Sequence, residues 1–144
     1  MTTIEHSIFI NASAEEIDAV TLDATRLPEW YPGVESAQPD DVYPEVGGQA
    51  QIVYKVVGIK FDVTFTVREL NRGHGATFEI DGMIKGTNTW TYTPEGDGVR
   101  VTAVYDYEMP GGGLGQVANK LVVQKMNDEN LKKSLENLKA LVEG

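Results

Sequence analysis

The chain has 144 residues, no cysteine, and 12 basic against 22 acidic residues for a net charge of −10. That length suits one domain, spanning 1–144, which can bury roughly 70% of the surface its unfolded form exposes. The missing cysteines exclude disulfides, thiolate zinc sites and a cysteine nucleophile, and the negative charge repels phosphate backbones and anionic lipid heads, so nucleic acid is not an expected partner.

Met1-Thr-Thr leads directly into a strand pattern, and no stretch approaches the ~20 apolar residues needed to span a bilayer. The expectation is a cytoplasmic protein without stable membrane insertion. Ile4, His6, Ile8 and Ile10 alternate with Glu5, Ser7 and Phe9, the period of a strand with one buried face. Ser13-Ala14-Glu15-Glu16 fits a capping box, and Ile17, Val20 and Leu22 give the short helix after it an apolar stripe. That helix ends near Asp23.

Residues 23 to 34 form a proline-bracketed corner that carries Trp30 and Tyr31. Pro28 and Pro32 restrict the residues before them and supply no amide donor, so helix ends or kinks here and the aromatics project from a connection. From Val34 to Glu108 the punctuation is that of hairpins, with turns at Pro39-Asp40-Asp41, Gly47-Gly48, Gly58, Asn71-Arg72-Gly73, Asp81-Gly82 and Pro94 to Gly98. About six strands lie between them. Ile59, Phe61, Val63, Phe65 and Val67 alternate with Lys60, Asp62, Thr64, Thr66 and Arg68, which leaves one face of the sheet wet.

Pro110 to Gly113 breaks the last strand, and from Leu114 to Val142 the composition is helical and free of proline. Leu114, Val117, Leu121, Leu131, Leu135, Leu138 and Val142 form one stripe at about 3.6 residues per turn, with Gln124 and Asp128 as its polar members. A helix of nearly thirty residues is roughly 40 Å long and crosses a whole domain. The predicted class is α+β: a curved antiparallel sheet of about seven strands, with two short helices after strand 1, wrapped around a long C-terminal helix.

This order resembles the START-like SRPBCC superfamily, the helix-grip fold of the birch-pollen allergen, and within it the polyketide cyclase/dehydrase and lipid-transport type. The residues that carry the likeness are Ile8, Ile10, Ala12, Ser13, Glu15 and Ile17 at the start and Asp23, Pro28, Trp30, Pro32 and Val34 at the corner. Gly47-Gly48, then Trp90, Tyr92 and Pro94, then Leu135, Leu138 and Lys139 complete it. Ser13 stands where many members have proline, and caps the helix itself. The resemblance spans the chain and implies an internal cavity between sheet and C-terminal helix. It implies no single activity, because members include carriers, receptors and cyclases.

Strand parity says which residues face that cavity. Asn88, Trp90 and Tyr92 share a face with Ile84; Tyr105 and Tyr107 share one with Val99 and Val101; Tyr54 lies between Ile52 and Val56. Phe65 and Phe78 join them, and Val117, Leu121, Gln124 and Asp128 would line the cavity from the helix. These aromatics either fill a solid core or surround a pocket. The tyrosines favour a pocket, because a buried phenol without a hydrogen-bond partner costs roughly 1–3 kcal/mol and a wet or liganded space would satisfy several.

Gln124 and Asp128 either anchor a polar group of the guest or are rotated outward by a kink after residue 122. Asn88 is the better orienting group, since an amide both donates and accepts. His6 reads as a core histidine and His74 as an exposed turn residue. Trp30 and Tyr31, the Gly58 hairpin and the glycines from 111 to 115 would form the rim if those glycines serve more than the turns they punctuate.

The expected function is binding or transport of a small hydrophobic ligand, whether lipid, isoprenoid or aromatic polyketide-like. The alternative is a cyclase, aromatase or dehydratase in which tyrosine, Asn88 or Asp128 assists proton transfer. A protein-interaction module would need an apolar outer sheet face, and that face is polar. The sequence contains no Gly-x-Ser-x-Gly elbow or phosphate loop, and no metal or nucleotide cofactor is expected. The ligand's identity and the oligomeric state are left open.

Overall fold

The computed structural model describes residues 2–56, 58–108 and 117–144, with side chains of the last segment described from residue 121. β1 (Thr2–Ile10) is followed by α1 (Ala14–Thr21), a 3-10 turn (Ala24–Arg26) and the single-turn α2 (Leu27–Trp30). Then come β2 (Val34–Pro39), β3 (Gln49–Val56), β4 (Ile59–Asn71), β5 (Gly75–Gly82), β6 (Lys85–Glu95) and β7 (Gly98–Glu108), and α3 (Val117–Glu143) closes the chain. All seven strands form one sheet in the order β1-β7-β6-β5-β4-β3-β2, every neighbour antiparallel. This is the helix-grip architecture that the sequence predicts. No helix among the described residues is long and apolar enough to cross a membrane.

Local chemistry explains the entry into this fold. The Ser13 hydroxyl accepts from the Glu16 amide and the Glu16 carboxylate accepts from the Ser13 amide, each at 3.1 Å, so the capping box starts α1 as its sequence requires. α1 ends before the prolines. Pro28 then falls in the first turn of α2, where its missing amide would have had no partner, so it opens a new turn of helix at the corner. Gly33, at φ +93°, lets the chain leave the corner against β3: a Cβ there would lie 2.7 Å from the Tyr54 ring.

The sheet curls tightly. Tyr54 on β3 and Tyr105 on β7 are four strands apart, about 19 Å in a flat sheet by strand spacing. Yet their side chains line one and the same cavity. The concave face holds two interiors. Against β1 and the corner, Leu131, Leu135 and Leu138 of α3 are wholly buried together with Ile10 and Ile17. Two hydrogen bonds fasten this half of the helix, Lys139 Nζ to the Phe9 carbonyl at 2.8 Å and Asn137 Nδ2 to the Trp30 carbonyl at 3.0 Å.

The middle of α3 departs from the predicted stripe. Leu121 is 68% exposed and Gln124 is also exposed, whereas Val123 and Asn127 are buried. Steps of seven, from 131 to 124 and 117, run almost straight along a helix, but the buried row Leu135, Leu131, Asn127 and Val123 steps by four and slants around it. The face that meets the sheet therefore rotates along α3. Leu114 lies outside the described residues, and so does the side chain of Val117.

Candidate ligand-binding cavity

The second interior is open. Between the corner and the inner face of β3 to β7 lies a cavity of about 820 Å³, counting its crevices and its mouth. The space in which the centre of a water-sized sphere can move is about 60 Å³, several times the roughly 10–15 Å³ that one water requires. Part of the larger volume is continuous with solvent. A guest larger than a few waters must shift side chains at the rim.

The corner supplies the roof. Trp30, 2% exposed, meets Trp90 edge to face at 5.6 Å, and Tyr31 meets Tyr54 in the same way at 6.2 Å. Asn88, Trp90 and Tyr92 rise from β6, Phe78 from β5, Phe65 from β4 and Tyr105 from β7. Nine of the residues singled out by strand parity and the corner motif thus meet at one cavity. Gly75, at φ +137°, lets β5 pass so close to β6 that a Cβ would sit 2.0 Å from the Trp90 carbonyl oxygen, which holds that tryptophan at the wall.

The remaining predicted site residues are elsewhere. Tyr107 is buried and stacks on Tyr105 at 4.5 Å, behind the wall. Leu121 and Gln124 face out, and Asp128 is half-exposed and bonded to His6 Nε2 at 2.9 Å. Among the described residues no side chain of α3 lines the cavity. His74 is exposed, Gly58 forms a positive-φ turn, and the glycines from 111 to 115 lie outside the described residues.

Sequence reasoning missed two groups. Leu22, Ala24, Leu27, Val63 and Tyr43 also line the cavity. Tyr43 stands in the loop after β2 and stacks on Phe78 at 6.2 Å; an aromatic beside a proline was its signal. The second group is a pair of asparagines on α3. The Tyr54 hydroxyl donates to Asn127 Oδ1 at 2.7 Å and accepts from Asn130 Nδ2 at 3.0 Å, so the helix reaches the cavity through a phenol.

Every described lining residue is uncharged. Its titratable groups are tyrosines, and each is pushed up. Burial raises Tyr54 to about 12 despite the opposing bond from Asn130. Tyr31 and Tyr105 go well above the ordinary phenol value, again first by burial and then by neighbouring phenols. Tyr92 is raised by burial although Thr21 Oγ1 lies 2.7 Å from its hydroxyl. These groups are neutral at working pH.

Comparison with known proteins agrees with this architecture. The chain superposes on the crystal structure of TTHA0849 from Thermus thermophilus with a TM-score of 0.82 and 26% identity, over 98% of this chain and 97% of that one. It is similar in fold to the ZhuI aromatase/cyclase of a Streptomyces species, at TM-score 0.79 and 13% identity over 99% and 93% of the two chains. Ara h 8.0201 matches at TM-score 0.70 and 12% identity over 98% and 97%. No curated protein matches in sequence. The pattern of the family described as "Polyketide cyclase / dehydrase and lipid transport" fits residues 1–143, and the chain belongs to that family.

Proposed function

We propose that the protein binds and carries a small hydrophobic molecule in the cavity beneath the Trp30–Tyr31 corner. The observation that carries this reading is the cavity itself, a space with a mouth to solvent, walled by aromatic and aliphatic side chains with a few fixed polar groups, as in small-molecule sites generally. A cyclase or dehydratase in the same space would need a group that exchanges protons near working pH. The lining tyrosines are moved away from that range, and Asp128 stands outside the cavity on His6. Binding therefore accounts for the site better than turnover.

The test is native mass spectrometry of the gently purified protein for a co-purifying small molecule, followed by thermal shift against a hydrophobic library. A ligand at about 100 times its Kd stabilises the folded state by about 2.7 kcal/mol. Ala76 lines the cavity, so Ala76→Leu fills it and is expected to abolish the shifts seen with the wild type. No shift across the library, or shifts that survive Ala76→Leu, would overturn the proposal.

A further inference from the structure

A guest larger than a few waters needs part of the cavity wall to move, and one part of that wall is thin. Outside it lies a solvent-open cleft that Asp18 of α1, Pro44 and Arg72 help to form. Leu22, Ala24 and Tyr43 line both this cleft and the cavity, so a single layer of side chains separates the two spaces. Two of the three are fixed in place. Leu22 caps α1, its amide bonded to the Asp18 carbonyl at 2.9 Å, and Ala24, 4% exposed in the 3-10 turn, has no side chain that could swing. Tyr43 differs, because it belongs to the loop between β2 and β3 and meets Phe78 of β5 only by stacking at 6.2 Å.

That loop is tied at its ends and lightly held between them. The Asp40 carboxylate accepts from the amides of Val42 and Tyr43 at 3.0 and 2.9 Å. At the other end the Gly47 amide donates to the Val67 carbonyl and the Gly48 carbonyl accepts from the Val67 amide, both at 2.9 Å. Between these ties Val42 and Val46 are exposed, and Glu45 pairs with Arg72 at the edge of the cleft. Both partners of that pair are more than half exposed, and such pairs hold weakly. Gly47, at φ +91°, has open space where a Cβ would be, so its torsions can change without a clash.

Resting on the binding reading above, we propose that the guest enters and leaves past Tyr43, with residues 44 to 46 as a strap that the Glu45–Arg72 pair fastens. The door lies at the opposite end of β3 from the Gly58 hairpin. When the pair parts, the strap lifts, the Tyr43 ring turns off Phe78 towards the cleft, and the cavity and the cleft become one space. A door of this kind sets how fast a guest exchanges and leaves its affinity unchanged, since it slows entry and exit by the same factor.

The experiment is stopped-flow fluorescence with N-phenyl-1-naphthylamine, a neutral apolar probe, on the full chain. The chain has no cysteine of its own, so E45C/R72C can be bridged by a short bis-methanethiosulfonate and released again by reducing agent. Bridging is expected to slow association and dissociation together by at least about tenfold, with Kd unchanged within about twofold and both rates restored on reduction. Glu45→Gln, which only unfastens the strap, should raise both rates by about two- to fivefold at constant Kd. Rates unmoved by bridging, or by Glu45→Gln in folded protein that binds the probe, would overturn this inference alone. No binding of the probe to the wild type would overturn the cavity reading and this inference with it.

Discussion

The two interiors of this protein are built from similarly apolar residues and differ in what is done with polar atoms. Beneath the last turns of α3, leucines and isoleucines pack to complete burial, and the polar groups at the border bond to backbone carbonyls. Beneath the corner, apolar walls carry phenols and an amide, and the indole Nε1 of Trp30 is buried without a described partner. The first interior holds the fold together; the second has room. Hydrophobic content would not distinguish them, but unfilled volume does.

Substitutions on the two sides should therefore behave differently. Leu135→Ala in the packed interior removes a wholly buried side chain and should lower stability by about 2–5 kcal/mol in urea denaturation. Asn127→Leu stands between the two, since it breaks the only described bond accepted from the Tyr54 hydroxyl; a loss of about 1–3 kcal/mol is expected by the same assay. A loss as large as that of Leu135→Ala would place Asn127 with the packed interior instead.

Alkaline pH sharpens the contrast. Tyr54 has a folded pKa of about 12 against an unfolded value near 10, so the stability gained by keeping it neutral is fully present below pH ~10 and is lost as pH rises towards 12. The melting temperature should fall most steeply in that window, and Tyr54→Phe should make the fall shallower. An identical alkaline profile in that variant would remove Tyr54 as a source. The smallest effect belongs to Tyr105→Phe at the cavity wall, which removes one hydroxyl and should change stability by less than about 1 kcal/mol in the same urea denaturation.

The sheet and much of the site were legible because strand parity is a strict code. Once Asn88, Trp90 and Tyr92 are known to share a face, a curled sheet must bring them to one concavity, and it does. The corner motif likewise announced Trp30 and Tyr31. The helix was less legible. At 3.6 residues per turn, rows of four and of seven both make plausible stripes, and only the path of α3 over the sheet selects Val123 and Asn127 over Leu121 and Gln124. Asn127 and Asn130 were hidden for a further reason: a polar residue on a buried face looks like an exception until its partner, Tyr54, arrives from 73 residues away in the case of Asn127. Tyr43 was missed because its loop has no period to read.

The most direct test of the account is a crystal structure of the protein soaked with 2-acetylnaphthalene. The account predicts density for the ring system in the cavity under Trp30 and Tyr31. A guest lodged between α3 and the sheet, or an unaltered cavity at saturating ligand, would contradict it.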